Sequence, residues 1–156
     1  MIIEQLLKIA LMQMIPRLAS RILLLVVIVL CSVHAQSDAT GPRIGFLSPG
    51  TPESTAAVLA GLRQGLRDHG YIEGTNITIE SRIARDRFDL LPGLARELIG
   101  LSVDVLVTNV TQATLAAKDN TNTIPIVMVG VSDPVASNLI SSLSRPGGNV
   151  TGTSGM

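Results

Sequence analysis

Three short stretches carry most of the side chains in this sequence that can hold a small ligand. They are Ser48–Pro49–Gly50–Thr51, Thr108–Asn109–Val110–Thr111–Gln112 and Val131–Ser132–Asp133–Pro134. Each follows an apolar run, and two lead into segments with helical spacing. The free N–H groups at a helix start, together with the helix dipole, favour a carboxylate or another anion. Asp133 can receive an ammonium group, or it can cap its own helix. The candidate ligand-binding residues are therefore Ser48, Gly50, Thr51, Thr108, Asn109, Thr111, Gln112, Val131, Ser132 and Asp133. Such a set suits a small zwitterion or a polyol. Ser, Thr, Asn and Asp after strands are also ordinary helix caps. No single residue decides between the two roles. The coincidence of three such loops carries the reading.

Catalytic chemistry finds little support. The sequence has one Cys and two His. His69 falls in the last turn of an expected helix, where partial positive charge suits the dipole. That makes it a surface cap rather than a base. No Ser lies in a G-x-S-x-G turn. "GPRIGFLSPG" is neither a phosphate-binding Walker loop nor a dinucleotide fingerprint. Glu53 and Glu97 have no partner at a metal-ligand spacing. The expectation is a chain with no catalytic residue, no metal and no cofactor.

The elements that must position these loops follow from hydrophobic pattern. The chain has 156 residues, enough for one domain and at most a small second one. Aromatics are scarce and Trp is absent. The core must be built from Val, Ile, Leu and Ala, which suits buried parallel strands with helices on them. "RIGFLSPG" reads as a strand and turn. "TPESTAAVLAGLRQGLRDHG" reads as a helix capped by Thr51, with Pro52 first, Gly70 as its stop, and Ala57, Leu59, Leu62 and Leu66 on one face. "NITIESRIA" is a second strand, with Ile77, Ile79 and Ile83 pointing one way. "DRFDLLPGLARELIGL" is a second helix whose regular part starts near Pro92. "VDVLVTNV" is a strand buried on both faces. "TQATLAAKD" is a third helix with Thr111 as N-cap. "IPIVMVGV" is a fourth strand, "SDPVASNLISSLSRPGG" a short fourth helix and turn, and "NVTGTS" a fifth strand. The alternation β-α-β-α-β-α-β-α-β predicts an α/β fold: an open parallel sheet with helices on both faces. In such a sheet, ligands bind at the C-terminal strand ends, where the three polar loops fall.

The N-terminus reads differently. "RILLLVVIVL" is too short an apolar run to span a bilayer as a helix, which needs roughly 20 residues. With Arg17 and Arg21 before it and "SVHAQS" after it, residues 1–35 are expected to be a secretory signal peptide cut after Ala35. Lipid attachment at Cys31 is the alternative, but Leu30 is bulky where lipoprotein signals carry a small residue. A start at Met12 or Met14 leaves a signal of ordinary length. Cleavage removes Cys31, so residues 36–156 contain no cysteine and no disulfide. Such a protein suits a bacterial periplasm. Formal charge is zero over the whole chain, and nucleic acid is not an expected partner.

"RIGFLSPG", "GLRDHGYIEGTNITIE", "FDLLPGLARELIGLSVDVLVT", "IPIVMVGVSDPV" and "LSRPGGNVTG" resemble a family of bacterial ABC transporter substrate-binding proteins. It is the family with the type I periplasmic-binding-protein fold that includes aromatic amino-acid binders. The resemblance runs from about Arg43 onward. Its most specific pieces are Gly70–Tyr71 to Asn76–Ile77, Asp133–Pro134 and Arg145 to Gly152. The resemblance implies two similar α/β lobes that close on a ligand, with Ser48–Thr51, Thr108–Gln112 and Ser132–Asp133 as the first lobe's contribution. It implies a small-molecule solute, an amino acid above others, and permease and ATPase subunits as partners. Family members commonly carry Thr-Pro-Ala where this chain has Thr111–Gln112–Ala113. Gln112 restores an N–H and adds an amide, which bears on ligand identity. Residues 36–156 are expected to be the first lobe alone, a fragment that stops near the crossover. An extracytoplasmic ligand sensor of the same fold is the rival reading.

Overall fold

A computed structural model describes residues 41–155. The expected signal peptide over 1–35, with Cys31 and the cleavage after Ala35, lies outside the described residues. The elements in order are strands and helices β1 Arg43–Ser48, α1 Pro52–Asp68, β2 Thr78–Ile83, a 3-10 turn Phe88–Leu90, α2 Leu91–Gly100, β3 Val105–Asn109, α3 Val110–Lys118, β4 Ile126–Val131 and β5 Val150–Ser154. The five strands form one sheet in the order β2-β1-β3-β4-β5. Every neighbouring pair is parallel. The expected open parallel α/β sheet is what forms.

Strand alternation divides the core in two. Leu47, Leu106, Ile126, Met128 and Val150 point to one face, where they meet Leu91, Ala95 and Leu98 of α2 and Ala113, Ala116 and Ala117 of α3. Ile44, Phe46, Ile77 and Val107 point to the other face, against Val58, Leu59, Leu62 and Leu66 of α1. The apolar stripe of α1 thus uses Val58, and Ala57 is exposed, not buried as its spacing suggested. Ile77 and Ile79 share that face as expected, while Ile83 is half-buried at the strand's end.

The helix ends follow local chemistry. Thr51 and Ser54 form a reciprocal capping box at the start of α1. At its end Gly70 has φ +83°, and its N–H donates to Arg67 O at 2.9 Å while Tyr71 N–H donates to Leu66 O at 2.9 Å. These two bonds are the left-handed stop that Gly70 predicts. His69 is the C-cap residue, exposed, with Nδ1 at 2.9 Å from Gly65 O. α2 begins at Leu91 after the short 3-10 turn, with Pro92 in its first turn.

Two expectations are corrected. The third helix starts at Val110 with Asn109 as N-cap, two residues before the expected Thr111. The fourth helix does not form: residues 134–138 make turns only. There Ser137 N–H still reaches Asp133 O, but Leu139 and Ile140 N–H both return to Pro134 O. Asn138 sits between them at φ +54°, which ends any helical run. Leu139 and Ile140 are buried all the same and cover the β4–β5 side of the core.

Candidate functional site

The strand order reverses between β1 and β3. β1 connects outward through α1 on one face, and β3 connects the other way through α3 on the opposite face. Such a reversal opens a crevice at the C-terminal edge. The starts of α1 and α3 flank it.

Beneath this crevice lie four polar side chains. Ser48, Thr55, Thr108 and Thr114 make up the buried polar residues among those described, each at 1% exposure or less. Ser48 Oγ and Thr55 Oγ1 are 3.1 Å apart, which ties the end of β1 to α1. Thr108 Oγ1 and Thr114 Oγ1 are 2.8 Å apart, which ties β3 to α3. Thr114 Oγ1 also donates to Val110 O at 2.9 Å. Asn109 Nδ2 donates to Ser48 Oγ at 3.2 Å and joins the two strand ends. Each hydroxyl is satisfied within the protein, so burial costs little.

The ten sequence candidates therefore separate by position. Ser48 and Thr108 are sealed under the edge with their hydroxyls turned inward. Val131 is buried in the core, and its carbonyl accepts from Gly155 N–H at 3.0 Å. Gly50, Thr51, Asn109 and Thr111 are partly open, and Gln112, Ser132 and Asp133 are exposed. Ser132 and Asp133 follow β4, one strand farther from the crevice than α3. Asp133 Oδ1 accepts from Val135 N–H at 3.1 Å and Ala136 N–H at 2.9 Å. Of the two roles open to it, capping of its own turn is visible in the geometry.

The start of α3 has a different character. Asn109 makes no side-chain cap bond. The N–H groups of a helix's first turn have no acceptor within the helix. Those of Thr111 and Gln112 therefore meet solvent or ligand at the positive end of the dipole. Val110 holds φ +62°, a conformation unfavourable for a β-branched residue.

A loop that the sequence did not single out completes the edge. Ala84 N–H donates to Ser48 O, Arg85 N–H to Gly50 O and Asp86 N–H to Pro49 O, at 2.9, 2.9 and 2.7 Å. Arg85 and Asp86 are both left-handed, at φ 53° and 62°. Without Gly at these positions, no residue type signals that turn. The Glu53 carboxyl is held below the usual carboxylate range, chiefly by its own backbone N–H and the Thr51 hydroxyl. Arg85 adds a weaker pull, and desolvation opposes all three.

The sequence model of the family described as ABC transporter substrate binding protein matches residues 46–156. The chain belongs to this family. A tyrosine-binding protein of Clostridioides difficile (strain R20291) is 37% identical over 94 residues, which are 60% of this chain and 27% of that protein. The ligand-free, open structure of a substrate binding protein with adhesive properties from Clostridium difficile superposes with a TM-score of 0.69 at 31% identity, over 72% of this chain and 38% of that one. A structure from Streptococcus pneumonia, an ABC domain in complex with L-Trp, gives 0.69 at 27% identity, over 73% and 38%. A conserved domain protein from Vibrio cholerae gives 0.70 at 34%, over 74% and 39%. The chain thus spans well under half the length of these relatives.

Proposed function

We propose that this chain supplies the first wall of a solute-binding cleft in a bacterial ABC-type importer, and that its solute is a small zwitterion, an amino acid above others. The observation that carries the reading is the uncapped start of α3 at the reversal between β1 and β3, where Asn109 Nδ2 reaches Ser48 Oγ at the end of β1. That geometry suits a carboxylate on the N–H groups of Thr111 and Gln112. Gln112 can add its amide, and the free oxygen of Asp133 can receive an ammonium group at the far side. Relatives described as a tyrosine-binding protein and as an L-Trp complex support an aromatic amino acid. Export through residues 1–35 to the periplasm and docking to permease and ATPase subunits belong to the same reading. Ser48, Thr108 and Val131 support the wall from below.

A single wall leaves most of a ligand in water, and affinity in such clefts comes from burial on both sides. Binding by the 156-residue chain alone is therefore weak. The test is an NMR titration of the isotopically labelled chain with L-tyrosine and L-tryptophan. Expected are small shifts at the amides of Thr51, Thr111 and Gln112 that remain unsaturated at millimolar ligand. No shift there with either ligand overturns the site. Micromolar binding in a calorimeter overturns the two-walled account.

A further inference from the structure

We infer that Thr55 and Thr114 are positioning residues: their hydroxyls set the height of the two helix starts above the ligand edge. This rests on the binding reading just given. The buried core is otherwise apolar, yet every fully buried polar side chain among the described residues lies at this one place. The two pairs stand on opposite faces of the sheet, Ser48 with Thr55 under α1 and Thr108 with Thr114 under α3. Register makes them neighbours. Leu47 pairs with Thr108, so Ser48 comes opposite Asn109, and the Asn109 amide closes the gap at 3.2 Å. Packing alone does not call for this. A valine pair of the same shape replaces a buried hydroxyl pair at little cost in stability. Distance is what the hydroxyls supply. Thr108 and Thr114 approach to 2.8 Å, whereas carbon atoms rest about 3.5–4.0 Å apart. A valine pair would lift the start of α3 from β3, and with it the N–H groups of Thr111 and Gln112. The bond from Thr114 Oγ1 to Val110 O adds to the hold, since it grips the left-handed residue at the hinge of strand and helix. On the other face the Thr55 hydroxyl ties α1 to Ser48 at 3.1 Å, one turn after the capping box of Thr51, whose carbonyl accepts from the Thr55 N–H at 3.0 Å.

The experiment compares the full chain with Thr108→Val/Thr114→Val, Thr55→Val and the conservative Thr114→Ser. Amide hydrogen exchange, thermal melting and titration with L-tyrosine and L-tryptophan are followed together. In the double variant the midpoint is expected within a few degrees of the parent, while exchange at Leu115 and Ala116, among the first hydrogen-bonded amides of α3, rises about tenfold and exchange in α2 stays unchanged. The initial slope of amide shift against concentration, for whichever amino acid moves the parent's amides, falls about tenfold. Thr55→Val raises exchange at the start of α1 in the same way, with a lower midpoint because the buried Ser48 hydroxyl loses a partner, and Thr114→Ser restores parental values. Unchanged exchange and slope in both valine variants overturn the inference. So does a loss that appears only as a uniform rise in exchange across α2 and the sheet, because that marks a merely structural role. If the parent shows no shift with either amino acid, the binding reading fails, and local exchange alone decides the positioning role.

Discussion

Val110 occupies the left-handed region at φ +62° and belongs to neither apolar cluster of the core. That conformation costs an L residue roughly 1–2 kcal/mol, and glycine's greater chain entropy takes back about 0.5–1 kcal/mol. Val110→Gly is therefore expected to stabilise the fold by about 0.5–1 kcal/mol in urea unfolding, with the difference set by those two opposing effects. A marked loss would mean that the valine side chain anchors the turn. Thr114→Val acts in the opposite direction. It strands the Thr108 hydroxyl at 0% exposure, and an unpaired buried hydroxyl costs about 1–3 kcal/mol. The same urea experiment reads that loss, and the paired change at Thr108 recovers most of it. Glu53 gives a pH signature. Its folded carboxyl titrates below the ordinary range because its own N–H, the Thr51 hydroxyl and Arg85 favour the charged form. A depressed acid contributes stability above its unfolded pKa and loses it as pH falls through the folded one. Thr51→Val removes one of these donors. The Glu53 midpoint, followed by NMR, is expected to move up toward the free value; no movement would assign the depression to the backbone alone.

At the scale of elements, strands were the most legible part of the chain. Val105 to Thr108, Ile126 to Met128 and Ile44 to Leu47 read as apolar runs because a parallel strand is buried on both faces. Side-chain type says less about where helices begin. Asn109 and Thr111 are both good cap residues, and only the backbone turn at Val110 chooses between them. The connection from Asp133 to Asn149 misled for a related reason. Its Ser and Asn side chains compete with helix bonds, and Ser142 Oγ indeed takes the Arg145 N–H at 3.0 Å. The Arg85–Asp86 turn left no trace in residue type. The candidate site was legible as a set of loops. Its division into a sealed layer and an open layer was not, because that depends on which face each strand end presents. β5 supplies the sharpest element-scale prediction. Gly152 has φ +137°, and a Cβ there would lie 2.1 Å from Met128 O. Backbone cannot yield as a side chain can. Gly152→Ala is expected to cost about 3 kcal/mol, at the upper end of overpacking effects, and to loosen the β4–β5 pairing. Exchange of the β5 amides measures it; protection equal to the parent's would mean that the strand simply shifts register.

For the molecule as a whole, the two faces of the sheet are unequally covered. One face carries α2, α3 and the buried Leu139 and Ile140 across its width. On the other, α1 packs over β1 and its neighbours, while Val127 and Val129 of β4 are half-open and Thr151 and Thr153 of β5 are exposed. Parallel sheets are stable with both faces covered. Among the described residues, nothing shields the β4–β5 half of this face. The apolar strip over Val105, Val127 and Val129 therefore contributes less than a closed face would, at roughly 25 cal/mol per Å² of buried apolar area. The 156-residue chain is expected to fold with a parallel sheet but to melt below about 45 °C, the lower bound typical of mesophilic domains. It should also bind a hydrophobic dye such as ANS while still folded, because the strip is accessible. Circular dichroism and dye fluorescence on the same sample decide the matter. A cooperative melt above about 60 °C without dye binding would mean that α1 alone suffices to close the face. A low melt with dye binding would place the weak point in the sheet itself, and ligand affinity measured on this chain would then include the cost of ordering that face.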